Sequence, residues 1–188
     1  MHRLCLVFLC LLLVLTGCSS SNSKEIESIK IYESYIDAVA NNKGIESKNI
    51  PFDYKMHVYK QKDNTYKYEI EISNPQVAMY NIQAIAVDQE VDSNNSVYPC
   101  LGLLGDDADM QYNMIPYQAY GKKGFISGFV LDSVSKQDQF TINVMVTWKD
   151  ASLRNTSRVF FNCNYAQEKG DNAKGVKETS DSGQSKVH

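Results

Sequence analysis

Ten consecutive residues toward the C-terminal end constrain the fold most. Phe140, Ile142, Val144, Val146 and Trp148 alternate without a break with Thr141, Asn143, Met145, Thr147 and Lys149. Successive side chains of an extended chain leave on opposite faces, so a period of two gathers the first set on one face only in a strand; a helix would scatter it. Val, Ile, Phe and Trp also fit a pleated surface. The same rhythm recurs upstream. Tyr66, Tyr68, Ile70 and Ile72 alternate with Lys67, Glu69 and Glu71, and Tyr80, Ile82, Ala84 and Ala86 follow the break at Asn74-Pro75. Val159, Phe161, Cys163 and Tyr165 form a last run, shorter runs lie at 54–60 and 125–131, and weaker ones at 97–104 and 114–120. Polar turns at 62–64, 92–95, 133–138 and 149–156 separate them.

Seven or eight short strands in residues 50–165, each with one polar face, predict an all-β domain, an antiparallel sandwich. An immunoglobulin-like topology of about seven strands is expected, with a small barrel as the alternative. Tyr68, Ile70, Ile82, Ile142, Val144, Val146, Trp148 and Phe161 are expected to share one core, and Trp148 reads as a core anchor rather than a stacking platform.

The flanks have other compositions. Ile26, Ile29, Tyr32, Ile36 and Val39 recur at steps of three and four, which predicts a short amphipathic helix within 24–44, capped by Asn22 with Glu25 and ended at Lys43-Gly44. The alternating Ile29-Lys30-Ile31 leaves a strand open there. Ser19–Ser23 is a polar leader, so residues 18–49 read as leader plus possible helix. Residues 166–188 have no aromatic side chain and too little apolar surface to offset ordering entropy, and they read as a disordered polar tail.

The first eighteen residues carry an address. Met1-His2-Arg3 is followed by an unbroken apolar run from Leu4 to Leu15 and then Thr16-Gly17-Cys18. Twelve residues rise only about 18 Å as a helix, short of the ~30 Å hydrocarbon core, so the pattern is that of an export signal over 1–17. Leu15-Thr16-Gly17-Cys18 resembles the lipobox of bacterial lipoproteins. The resemblance implies that Cys18 is lipidated and becomes the first residue of a mature chain, held by its lipid at the extracytoplasmic face of the cell membrane. As a whole the chain resembles small surface lipoproteins of low-GC Gram-positive bacteria carrying one immunoglobulin-like domain; the specific part of that likeness is confined to 15–18.

Charge and motifs narrow the function. Lys and Arg number 19 against 22 Asp and Glu, without the cationic excess that nucleic-acid binding requires. Of three histidines only His57 lies away from the ends, which argues against a His-rich metal site, and its alternation with Met56 and Val58 points it to solvent. There is no phosphate-binding glycine loop, HExxH or CxxC. No cofactor or metal is expected. Cys100 and Cys163 are the remaining cysteines of the mature chain; a disulfide and two buried thiols are nearly balanced, and a Cys100–Cys163 bridge is the expectation. Asn94-Asn95-Ser96 and Asn155-Thr156-Ser157 match the glycosylation acceptor, which a bacterial lipobox makes irrelevant.

Two stretches invite function. Asp106, Asp107 and Asp109 form an acidic run without a calcium loop's ligand pattern. Tyr112, Tyr117 and Tyr120 follow, with Met110 and Met114, residue types enriched at contact surfaces. Residues 106–120 are therefore the expected contact region of a non-catalytic binding module engaging a protein, peptide or envelope polymer. The alternative is an envelope enzyme or accessory subunit with a carboxylate site at Asp106–Asp109. Packing of the same aromatics inside the sandwich also remains open.

Overall fold

The computed structural model describes residues 20–89 and 97–167. The export signal, Cys18 and Ser19, the turn at 92–95 and the tail beyond 167 lie outside them; residues 20–23 of the expected leader are helical instead. Among the described residues one α-helix, α1 (Ser20–Asn42), precedes seven strands: β1 (Asp53–Lys60), β2 (Tyr66–Ser73), β3 (Tyr80–Asp88), β4 (Cys100–Leu101), β5 (Gly128–Ser135), β6 (Gln139–Lys149) and β7 (Thr156–Ala166). They form two antiparallel sheets, in the orders β1-β2-β5 and β4-β3-β6-β7.

The sheets face one another across the core that the alternation demands. All eight expected core residues lie in one cluster, with Ile70, Ile142, Val144, Val146 and Phe161 fully buried. Tyr54 lies over Phe161 with ring centroids 4.0 Å apart, Tyr68 over Phe140 at 5.9 Å, and Trp148 meets Phe52 edge-on. Each fully buried apolar side chain contributes roughly 1.5–3 kcal/mol. The three-stranded sheet keeps its other face wet, where Lys67 reaches Glu69 at 2.6 Å and Asp132 at 3.5 Å. His57 stands on this outer face, 4.0 Å from Glu71.

The four-stranded sheet departs from the expectation of one polar face per strand. Asn143, Met145 and Thr147 are buried as well as their alternates, because α1 covers that side. Tyr32, Tyr35 and Val39 pack on Ile85, Val87, Leu103 and Met145 in a second cluster. The Tyr35 hydroxyl bonds Thr147 Oγ1 at 2.6 Å and donates to Gln83 Oε1 at 2.8 Å, and the Tyr98 amide donates to the Tyr32 hydroxyl at 2.7 Å. The helix thus belongs to the folded domain. It starts at Ser20, which puts the expected cap Asn22 inside it, and it ends where expected, with Lys43 and Gly44 both at positive φ. Ile26 and Ile29, expected on the packed face, are exposed: the burying stripe is 32, 35, 36 and 39, one helical face lying over the sheet, while the first turns project beyond it. Residues 44–47 then cover the β7 edge, with Ser47 N donating to Phe160 O and Asn162 Nδ2 to Gly44 O.

Two weaker strand expectations shrink. Of 97–104 only Cys100–Leu101 is a strand, and 114–120 forms isolated bridges. Both lie at or in a long crossover between the sheets, residues 102–127. Its backbone polar groups bond within the crossover and to β3 instead of to a ladder.

Candidate binding site on the crossover

β4 ends opposite Ala84 in the middle of β3 and runs toward that strand's start, and β5 begins opposite the end of β2, so the crossover caps one end of the sandwich. It starts at Gly102, whose φ of +68° and proximity to the Ile82 carbonyl, 2.9 Å from where a Cβ would stand, leave no room for another residue. The Gly102 amide donates to Asp107 Oδ2 at 2.9 Å, and the Tyr112 hydroxyl donates to Asp107 Oδ1 in a short hydrogen bond. That bond to Asp107, with some burial, raises the Tyr112 phenol to about 12. Asp107 therefore braces the 3-10 turn Gly105–Asp109 against Gly102 before it and Tyr112 after it. Asp109 ion-pairs with Lys24 of α1 at 3.4 Å, and both are exposed. Asp106 is exposed in the first turn.

Beyond Tyr112 the chain locks onto β3. Met79 and Met114 exchange amide-to-carbonyl bonds of 2.8 and 2.9 Å, and Ile82 N donates to Tyr112 O at 2.8 Å. Met114 is fully buried. The next residues leave the body. Gln118 N donates to Ile115 O across Pro116-Tyr117, and with proline's φ near −65° followed by Tyr117 at +64° this is a type II turn. Such a turn favours glycine at its third position; here a tyrosine stands there, fully exposed at 104%. Tyr120 is also exposed, with Lys123 Nζ 5.6 Å from its ring centroid. The 3-10 turn Gly121–Lys123 follows and ends in left-handed Gly124, where a Cβ would run into the Gln111 carbonyl. Asn113 N to Gly124 O at 2.8 Å and Ile126 N to Asn113 O at 2.9 Å tie the two arms together.

The six expected contact residues thus divide. Asp107 and Tyr112 meet, as an internal brace. Asp109 turns to the helix. Tyr117 and Tyr120 stand on a tip whose charges are Lys122 and Lys123, and among the described residues no hydrogen bond joins them to the three acids. The lysines were visible in the sequence as a Gly-Lys-Lys after Tyr120, but nothing there ranked them above the acids.

The bridge between Cys100 and Cys163 is corrected: both are free thiols. They occupy the two outer strands of one sheet with β3 and β6 between them, and they face opposite ways. Cys100 packs in the helix layer and Cys163 in the core between the sheets. Burial, with Asp107 adding, pushes Cys100 up to about 11, and burial, with Glu46 adding, pushes Cys163 up to about 12. Among the described residues no group of three or more His, Cys, Asp or Glu is placed to hold a metal, and no helix is long and apolar enough to cross a membrane. Compared with family models, curated proteins and solved structures, the chain matches none.

Proposed function

We propose that this protein is a surface lipoprotein, held by a lipid on Cys18 at the extracytoplasmic face of the cell membrane, whose domain is a non-catalytic binding module with its contact at the crossover tip around Tyr117 and Tyr120. One observation carries the reading of the tip. A fully exposed tyrosine in left-handed backbone contributes no packing and costs conformational energy where glycine would cost none. Such a residue is of use to a partner rather than to the fold. Lys122 and Lys123 beside it suit a partner with negative charge.

The strand orders support an immunoglobulin-like topology: β1-β2-β5 corresponds to strands A-B-E and β4-β3-β6-β7 to C′-C-F-G. The crossover and the 74–79 and 150–155 connections then share one end of the sandwich, as binding loops do in that architecture. The anchor rests on Arg3, the apolar run and Leu15-Thr16-Gly17-Cys18. Against a carboxylate enzyme site stands the engagement of Asp107 with Gly102 and Tyr112 and of Asp109 with Lys24.

The test places a photo-crosslinking residue at Tyr117 or, at the opposite end of the sandwich, at Lys62, in the full chain on intact cells. A discrete adduct from position 117 and not from 62 is expected. Identical adducts from both, or none from 117, overturn the contact assignment. For the anchor, a native N-terminus at Ser19 or later without an acyl group refutes lipidation.

A further inference from the structure

A second feature of the crossover is a cleft on the helix side, distinct in its residues from the tyrosine tip. It is open, of about 320 Å3, and lined among others by Asn81, Gln83, Asp109, Met110, Gln111 and Lys149. That volume is at the small end of ligand sites. Its floor is a break in the sheet. Tyr80 faces Lys149 and Gln83 faces Thr147, so Asn81 and Ile82 together oppose the single residue Trp148: a β-bulge. The bulge's first residue, Asn81, is left-handed at φ +49°, a conformation that usually calls for glycine and that asparagine tolerates. Its amide donates to Asn113 Oδ1 at 3.0 Å, and the Ile82 amide to Tyr112 O, which replaces the lost ladder bonds. The bulge puts the Asn81 residue on the cleft wall while Ile82 remains in the core.

The polar groups around the cleft differ in how far they are committed. Gln83 is used up as a strut, accepting from Tyr35 and donating to Gly102 O at 2.9 Å. Asp109 is held by Lys24. The side chains of Asn81 and Gln111 make no hydrogen bond, and Lys149 no ion pair, with any described residue. A ligand there meets one ammonium, two amides that each offer donors and an acceptor, and one carboxylate acceptor. Groups that donate and accept at once satisfy that mixture, and hydroxyls do; with Asp109 already paired to Lys24, Lys149 is the unpaired charge among the described lining residues, which draws a carboxylate and repels a metal cation.

We propose that this cleft binds a carboxylated saccharide unit, with Lys149 taking the carboxylate and Asn81, Gln111 and Asp109 the neighbouring hydroxyls. The open sides admit an internal unit of a polymer. The site stands independently of the tyrosine tip.

Saturation-transfer NMR on the full chain in detergent tests it, with glucuronate, glucose and acetyl-alanyl-alanine as probes. Glucuronate is expected to bind, and glucose about tenfold more weakly for want of the charged pair. Lys149→Met, which keeps the stem's packing, should remove the preference for glucuronate over glucose. Asn81→Gly, which keeps the left-handed bulge and removes only the amide, should weaken both sugars severalfold at unchanged melting temperature. Tyr117→Gly should leave all three signals as they are, so failure here and failure at the tip are read separately. No transfer to glucuronate, equal or stronger binding of the dipeptide carboxylate, or an undiminished glucuronate preference in Lys149→Met each overturns the assignment.

Discussion

Replacing Tyr117 by glycine sets fold and function against each other at one residue. At most positions a tyrosine-to-glycine change destabilises, since it removes buried area and frees the unfolded chain. Tyr117 is 104% exposed, so the transfer term is close to zero. Its φ of +64° costs an L-residue with a large side chain about 1 kcal/mol or more, which glycine does not incur. Glycine in turn gains roughly 0.5–1 kcal/mol of conformational freedom in the unfolded state. The two nearly cancel, and stability should change by between about 0 and +1 kcal/mol in the stabilising direction. For a chain of this size that is a rise in Tm of up to about 2–4 °C.

Capture of the partner should move the other way. A tyrosine anchor at the centre of a contact contributes on the order of 2 kcal/mol, or roughly thirtyfold in affinity. Thermal denaturation followed by circular dichroism, alongside crosslinking yield at the neighbouring Tyr120, reads both quantities on the same protein. A Tm that drops by more than about 3 °C would show that the side chain packs, and the premise would be gone. A stable variant with undiminished capture would show that the strain serves something else.

Four other outcomes follow from the packing and the titrating groups. Ile142→Ala, at a fully buried position on the central strand, should cost about 2–5 kcal/mol in urea denaturation, whereas Val130→Ala on the exposed face should stay within about 0.5 kcal/mol. Tyr35→Phe deprives Thr147 and Gln83 of their shared hydroxyl and should cost about 1–3 kcal/mol; no loss would mean that α1 is not docked as described. Cys100 and Cys163 should both react with a thiol reagent in denaturant without reductant and only slowly in the native protein, because burial holds both thiols protonated; absence of either from the denatured count would restore the bridge. Tyr112, raised to about 12 by Asp107, contributes stability that is complete below the unfolded tyrosine pKa near 10 and lost as pH climbs through 12, so the wild type should lose stability relative to Tyr112→Phe across pH 10–12, as measured by urea midpoints at each pH.

What could be read from the chain depended on whether one face of an element was visible by itself. The inner faces of β2, β6 and β7 were legible because most of their alternates are polar, although Met145 and Phe160 face the helix layer, and all eight core residues fell where alternation put them. The helix was harder: Ile26 and Ile29 share the spacing of Tyr32 and Val39, yet only the latter lie over the sheet, and periodicity does not tell an overhang from a contact. The strand expected at 114–120 failed for a similar reason. Met114 and Ile115 read as a strand's start, but Pro116 and the left-handed Tyr117 turn the chain at once. At the site, the Asp107–Tyr112 brace had no signal, since a carboxylate five residues before a tyrosine fits any loop. The bulge at Asn81 was hidden because Tyr80, Ile82, Ala84 and Ala86 keep the alternation through it.

The crossover explains how a 26-residue connection can present a fixed surface without strands of its own. Its two arms are tied to each other through Asn113, which bonds Gly124 and Ile126 by its backbone and the Asn81 amide by its side chain. That one buried residue couples the arm that leads to the tip, the arm that returns from it, and the β3 bulge beneath the cleft. Gly124 lets the arms close because no side chain intervenes between it and Gln111. Met114, fully buried against Met79, pins the base. Rotation of the tip would break several of these bonds together, so the exposed residues 117–123 start from one arrangement and a partner need not bear the entropy of ordering them. The same coupling means that the cleft and the tip, though chemically separate, share a scaffold whose rigidity comes from backbone bonds rather than from the identities of the exposed side chains.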